Sequence, residues 1–322
     1  MMAPKFWSDR NAAAGKILTP LGAITAGITA RRVARPPKTA LGIRVICVGN
    51  AVVGGAGKTT VALDLLGRLA SPRTFGLTRG YGGKLPGPVL VDPNAFTAAD
   101  VGDEALLLAA QGPTVVARDR AAGARLALAE GATTIVMDDG LQNPDLQKSI
   151  SLLTIDGGYG FGNGRLLPAG PLREPVAMAA SRVHAAIMIG ADETGAAAQL
   201  PPGLPVLRAR LVPDCVERLG RRPVIAFAGI GRPQKFFRSV LALGADIVAT
   251  KAFADHHVFS ARDCADLLND AANAGATLVT TPKDYVRLPG PLRAMTIVVS
   301  VRLEWEDEAA LNELLVWPKT KL

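Results

Sequence analysis

Aromatic side chains are scarce in this chain: three Trp, three Tyr and nine Phe make up 5% of 322 residues. A groove that holds single-stranded nucleic acid by stacking bases needs more of them. Cysteine is rarer still. Cys47, Cys215 and Cys264 are odd in number and far apart, so they form neither a disulfide framework nor a CxxC metal site, and they fit a reducing compartment. No run of about 18 apolar residues occurs, which argues against a simple membrane-spanning helix. Internal repeats and low-complexity tracts are also missing, and the 34 Gly and 23 Pro keep no three-residue period, which excludes collagen. What the chain has in quantity is apolar residues, 49% against 20% charged. That excludes intrinsic disorder, and the length allows one large domain or two modest ones.

The net charge of +8 is concentrated at one end. Residues 1–38 hold Lys5, Arg10, Lys16, Arg31, Arg32, Arg35 and Lys38 against a single acid, Asp9. A basic arm of this kind points to an anionic surface. With so few aromatics and the charge confined to the arm, no nucleic-acid partner is expected. Within the arm, Ile17, Leu21, Ile24 and Ile28 fall on one helical face. Three readings stay open for residues 17–30: a helix docked on the protein itself, an interfacial helix on an anionic membrane, and a signal peptide cleaved near Ile28-Thr29-Ala30.

From residue 43 short β-branched runs alternate with helical stretches, the pattern of a parallel sheet covered by helices. Strands are expected at Ile43–Val48, Thr74–Leu77, Thr114–Ala117, Thr134–Met137, Ser151–Ile155 and Ala185–Ile189, and helices at 57–70, 103–111 and 119–130. Gly157 to Pro175 holds six Gly and three Pro and reads as a long functional loop. A second βαβαβ block follows: strands Val206–Val212, Val224–Ala228, Ile247–Thr250, Thr277–Thr280 and Ile297–Val301, with helices Pro233–Leu243, Ala261–Ala274 and Glu306–Leu315. The expected division is a basic amphipathic arm (1–38), a phosphate-binding domain (39–204), a smaller α/β domain with linker strands (205–303) and a C-terminal helix (304–322).

The segment from Val48 to Thr59 follows a buried-looking strand and precedes a helix, the context a P-loop requires. Gly54, Gly55, Ala56 and Gly57 free backbone N–H groups to wrap phosphate oxygens, and the helix N-terminus adds positive character. Lys58 reaches the β/γ-phosphates, the Thr59 hydroxyl suits Mg²⁺, and Thr60 follows in the same turn. Val52 stands where the common pattern has Gly, so this is a variant loop. Thr134–Asp139 is an apolar strand ending in two carboxylates, Asp138 and Asp139; beside that loop one of them suits Mg²⁺, directly or through water, while taken alone the strand-Asp-Asp-Gly pattern also fits a turn.

With these features the chain resembles the tetraacyldisaccharide 4′-kinases of lipid A biosynthesis. The resemblance runs in order from about residue 40 to 290. Beyond the P-loop it is carried by Arg79–Gly83, Gly102-Asp103-Glu104, Asp138–Gln142, the LPAGPLREP block from Leu167 to Pro175, Phe227–Gly231, Asp255-His256-His257 and Thr280–Asp284. The chain departs from the usual family residue at Asn143 (His), Leu141 (an aromatic), Pro282 (Glu) and Thr60 (often Pro).

The resemblance implies a P-loop, doubly wound, mostly parallel sheet with a smaller α/β lobe joined by a two-stranded link. It implies Mg²⁺-dependent transfer of the ATP γ-phosphate to the 4′-hydroxyl of an acylated glucosamine disaccharide 1-phosphate, at the cytoplasmic face of a bacterial inner membrane. It also makes Asp103 and His256 a catalytic pair. On their residues alone, Asp103 fits a helix N-cap and His256 a buried structural histidine. Arg173 suits a phosphate clamp or a solvent-facing loop. Glu104 suits Mg²⁺ or the helix N-terminus. Arg79 is a weaker clamp candidate, and Gly229-Ile230-Gly231 fits an anion site or a tight turn. The competing class is a nucleotide-driven switch or chaperone ATPase acting on a protein, but no obligate protein partner is evident, and such a switch does not need the LPAGPLREP and DHH blocks.

Overall fold

The computed structural model describes residues 4–214 and 219–316, so Cys215 and the last six residues lie outside it. Its helices are α1 (Ala13–Val33), α2 (Lys58–Arg68), α3 (Ala98–Val101), α4 (Asp103–Ala109), α5 (Arg120–Ala129), α6 (Val176–Ala180), α7 (Pro233–Ala242), α8 (Ala261–Ala274), α9 (Pro282–Tyr285), α10 (Gly290–Ala294) and α11 (Glu308–Leu315).

Among the described residues, thirteen strands build two sheets. The larger contains β1 (Arg44–Gly49), β2 (Thr74–Thr78), β3 (Val89–Leu90), β4 (Thr114–Val116), β5 (Thr134–Asp138), β6 (Ile150–Asp156), β7 (Ala185–Ile189), β8 (Val206–Asp214) and β13 (Ser300–Trp305), in the order β13-β8-β7-β6-β1-β5-β2-β4-β3. The seven inner strands are parallel and the two edge strands antiparallel. Strands buried on both faces need continuous apolar runs, and β2, β5, β6 and β7 are buried at every position. The chain fills one side of β1 and then crosses to the other, so the C-terminal end of β1 lies at a topological switch point. The smaller sheet is parallel throughout, in the order β10 (Asp246–Ala252), β9 (Pro223–Ala228), β11 (Thr277–Thr280), β12 (Thr296–Val298).

The link between the sheets is β8 paired antiparallel with β13, Asp214 opposite Ser300 through Ala209 opposite Trp305. The single strand expected at Ile297–Val301 is therefore two. The chain leaves β12 in the small sheet, passes through buried Val299 and enters β13 in the large one. The apolar run is continuous because both strands bury residues, which hides the change of sheet. α11 packs on the large sheet through Leu311 and Leu315. It begins at Glu308, with Asp307 capping Ala310 N at 2.8 Å, rather than at Glu306. Five short elements (β3, α3, α6, α9 and α10) are not expected from the sequence; each is five residues or fewer, too short to leave a period.

Candidate active site

The parallel register sets the first half of the site. Val48, next to last in β1, lies opposite Asp138, the last residue of β5. The phosphate loop thus leaves the sheet beside the Asp138 carboxylate. Gly57, at φ 83°, turns the loop into α2, and a Cβ there would lie 2.4 Å from the Ile189 side chain. Only glycine fits such a position cheaply. Thr59 Oγ1 then donates to Asp138 Oδ2 at 3.0 Å. Val52, where a glycine is usual, is buried and pairs in extended fashion with Leu172, so no glycine conformation is required there.

That pairing ties the P-loop to the LPAGPLREP block. Val53 N donates to Pro171 O and Arg173 N to Ala51 O, each at 2.8 Å. Arg173 is thereby aimed at Asp139, with Nη1 3.0 Å from Oδ1 and 3.2 Å from Oδ2; it is not a solvent-facing loop arginine. Lys58 Nζ stands 3.8 Å from the same Asp139 Oδ1. Behind them Gln142 Nε2 donates to Asn50 O and to Glu174 Oε1, and fully buried Glu174 is held by Arg182 at 2.7 Å.

The two aspartates differ. Burial raises the Asp138 pKa, against the pull of Lys58. Burial acts the same way on Asp139, but Lys58 and Arg173 outweigh it and the net shift is downward. Asp138 Oδ1 is buried with no hydrogen-bond partner. An orphaned carboxylate oxygen beside a threonine hydroxyl is a hard-oxygen donor set that fits Mg²⁺. Asp139, already engaged by two cations, fits less well as a direct ligand.

The second half of the site spans the two lobes. Asp103 is the first residue of α4, and the N-cap is Gly102 at φ 87°. A Cβ on Gly102 would lie 2.5 Å from Tyr81 O. Asp103 thus sits one residue past the N-cap, where its Oδ1 still accepts from Glu104 N at 3.0 Å and its Oδ2 is left for other partners. Its carboxylate is buried, and His256 of the smaller lobe brings Nδ1 to 3.1 Å from Asp103 Oδ2. Tyr81 lies against the imidazole with ring centroids 5.1 Å apart. His256 and Asp139 are the two non-glycine residues with positive φ among the described residues, 58° and 52°. Such conformations persist where the surroundings enforce them, and they cluster at functional sites.

Sequence reasoning missed the residue that joins these groups. Lys283 Nζ lies 3.0 Å from Glu104 Oε1, 3.2 Å from His256 Nε2 and 4.0 Å from both Asp103 Oδ2 and Asp255 Oδ1. Arg287 adds a second cation 3.6 Å from Asp103 Oδ2. The family pattern at Thr280–Asp284 was the available signal, but nothing local to Lys283 points at α4. Pro282 takes the first turn of α9, where its missing N–H costs nothing. Burial works to raise the Asp103 pKa, but His256, Lys283 and Arg287 outweigh it and hold the group at about 2. Burial pushes Glu104 up to about 7 although Lys283 pulls the other way, with Asp103 and Asp138 adding to the rise. Asp103, Glu104 and His256 each place a donor atom within 4.8 Å of the others, so Glu104 remains available to a cation.

Arg120 was also missed. It is buried, its Nε has no partner, and it lies in the field of Asp138 and Asp139. By contrast Arg79 is exposed and makes no ion pair among the described residues. Gly229 N donates to Asp284 Oδ1 at 2.8 Å, so the Gly229–Gly231 loop is a turn held by α9 rather than an open anion site. Asn143 accepts from Asp145 N in a local turn. Buried Leu141 packs against Gly49, where a Cβ would lie 2.4 Å from Leu141 Cβ. Thr60 lies in the first turn of α2, partly buried.

A family model described as tetraacyldisaccharide-1-P 4′-kinase matches residues 14–317. A tetraacyldisaccharide 4′-kinase of Gluconacetobacter diazotrophicus is 53% identical over 319 residues, covering 98% of this chain and 97% of the relative. One of Rhodospirillum rubrum is 49% identical over 322 residues, covering 98% and 97%. Among solved structures, an "apo" form LpxK from Aquifex aeolicus in complex with ATP matches with a TM-score of 0.75 and 27% identity, covering 93% of this chain and 98% of that one. The chain belongs to the tetraacyldisaccharide-1-P 4′-kinase family.

Proposed function

We infer that this chain transfers the γ-phosphate of ATP to the 4′-hydroxyl of a tetraacyldisaccharide 1-phosphate, a step of lipid A biosynthesis. The observation that carries the reading is the meeting of Asp103 and His256 across the cleft, on the side of the sheet where the P-loop opens. A nucleotide switch needs the loop but has no use for that pair.

Phosphoryl transfer asks the protein mainly for positioning and charge neutralisation. The loop from Gly54 to Gly57 offers backbone N–H groups to the phosphates, with Thr60 in the helical turn that follows. Lys58 and Arg173 supply the positive charge. Both now rest on Asp139, which holds them ready and releases them to a phosphate that competes for the same donors. Mg²⁺, held by Thr59 and Asp138 with Glu104 and Asp139 near, would draw charge from the phosphate oxygens. Asp103 Oδ2 is buried and has no well-directed donor, so it is free to accept a hydrogen bond from the acceptor hydroxyl and orient its oxygen. A carboxylate held at about 2 is a poor final proton acceptor. His256 in contact with it takes the proton of the hydroxyl as the new P–O bond to the acceptor forms and the bond from the γ-phosphorus to the bridging β-phosphate oxygen breaks, releasing ADP. Lys283 keeps His256 and Glu104 in register.

Residues 1–38 form the membrane-associating arm in this reading, with domains over 39–204 and 205–303, and α11 belongs with the larger lobe. The acceptor is a lipid and ATP is made in the cytoplasm, so the reaction is assigned to the cytoplasmic face of the inner membrane, with the arm on anionic lipid. No described helix is long and apolar enough to cross a membrane. The test is radiolabelled ATP with tetraacyldisaccharide 1-phosphate in detergent and chromatographic separation of the lipid. Label in the lipid product is expected. ATP hydrolysis independent of the acceptor would instead assign the chain to the switch class.

A further inference from the structure

A cavity of about 260 Å³ opens between the C-terminal end of α1 and the loop that descends from Leu141 to Lys148. Its wall is basic. Arg35, Lys148, Arg182 and His184 line it, and no carboxylate does. Arg182 is neutralised from behind by Glu174. Lys148 is not neutralised: it is only partly exposed, donates to Asn143 O, and has no carboxylate within 4.0 Å among the described residues. Holding an ammonium group away from water without a counter-ion is unfavourable, and burial lowers its pKa accordingly. Arg35 makes no ion pair among the described residues either. His184 Nδ1 accepts from Ser151 N at 3.0 Å, which leaves the ring proton on Nε2 as a donor. The cavity therefore presents a partly buried ammonium with no carboxylate within 4.0 Å among the described residues, a guanidinium and an imidazole N–H.

Its position indicates which anion. The exposed apolar stripe of α1 (Ile17 75%, Leu21 48%, Ile24 61%, Ile28 56% exposed) ends at Arg31 and Arg32, and the cavity begins at Val33 and Arg35. A helix resting on lipid by that stripe sets its last turn among the headgroups. We propose that this cavity binds the anionic phosphate of a membrane lipid headgroup, with Lys148, Arg35 and His184 Nε2–H as its ligands. The assignment rests on the charge and shape of the cavity and on α1, independently of the kinase reading.

Histidine NMR of the full chain tests it, since His184 is one of only three histidines. Dihexanoyl phosphatidylglycerol, kept below its micelle-forming concentration, should shift the His184 Nε2–H resonance saturably. Inorganic phosphate should bind more weakly. Lys148→Met and Arg35→Gln should each weaken lipid binding by about tenfold, the scale of one lost charged hydrogen bond. Without lipid, Lys148→Met should melt at the same temperature as the parent or higher. No saturable shift, or lipid binding unchanged in both variants, would overturn the site. Equal affinity for phosphate and the lipid would overturn the lipid assignment. If Lys148→Met proves unstable, Arg35→Gln, at an exposed position, decides the question alone.

Discussion

Lys58 is pulled two ways: burial lowers its pKa, while Asp139 favours the charged form. Its ammonium is thus held in readiness at some cost to stability when no phosphate is bound. Lys58→Ala should cut turnover by at least about 100-fold and leave the melting temperature without nucleotide little changed; near-normal turnover would remove the P-loop assignment. For Asp103 and His256 the informative measurement is the double-mutant cycle. Groups that act as one unit are non-additive, so Asp103→Ala combined with His256→Ala should be little worse than the poorer single variant, whereas multiplying losses would separate them. Lys283→Ala should also lower kcat, because it frees Glu104 and His256 from a shared cation. Glu104 gives a pH prediction. Its folded pKa, about 7, lies above the ordinary 4.5, so between those values the folded chain binds more protons than the unfolded one. Stability should therefore fall as pH rises from about 4.5 to 7, and Glu104→Gln should flatten that slope in melting curves recorded without metal. The P-loop and Asp138-Asp139 were legible because their chemistry is written in adjacent residues. Lys283 and Arg287 were not, because what they do depends on α4, some 180 residues away in sequence.

α1 shows how a correct period can leave its meaning open. The stripe of Ile17, Leu21, Ile24 and Ile28 is real, yet it faces solvent. The opposite face docks on the 163–173 segment through small and hydroxyl residues. Gly15 and Gly22 are buried, a Cβ on Gly22 would lie 3.2 Å from Leu166, Thr25 Oγ1 donates to Leu167 O at 2.7 Å, and Thr29 Oγ1 to Arg173 O at 3.1 Å. Docking on the protein and contact with a membrane are therefore compatible readings, one for each face. Removing the whole arm would strip support from the segment carrying Arg173. Replacing Ile17, Leu21, Ile24 and Ile28 with Ser leaves the docked face intact. Co-sedimentation of that variant with anionic vesicles should fall well below the parent's, and the parent's binding should weaken with salt. Undiminished binding would move the membrane contact elsewhere.

At the scale of the molecule, two sets of contacts close the cleft between the lobes. One is the Asp103, Glu104 and Tyr81 meeting with His256 and Lys283. The other lies at the end of β6, where Asp156 Oδ2 receives Arg232 at 2.7 Å and Lys235 at 2.5 Å, both from the start of α7, and Arg232 lies 4.1 Å over the Tyr159 ring. The two-lobe architecture was legible because each lobe has its own run of buried strands. The closure was not, since neither Asp156 nor Arg232 belongs to a recognisable motif and each finds its partner only in three dimensions. Among the described residues the backbone passes between the lobes at Val299, so contacts of this kind set how readily the cleft parts. Asp156 is buried while its partners are partly exposed, which puts the pair contribution on the order of 1 kcal/mol, about fivefold in the closed population. Asp156→Asn keeps the shape and the contact with Gly158 N but removes the charge. In solution scattering without ligands its radius of gyration should exceed the parent's, and kcat/KM should fall about fivefold, because Asp103 and His256 meet less often. The melting temperature should stay close to the parent's, since each lobe keeps its own core. An unchanged radius together with unchanged kcat/KM would show that the Asp156 cluster is surface charge with no part in closure.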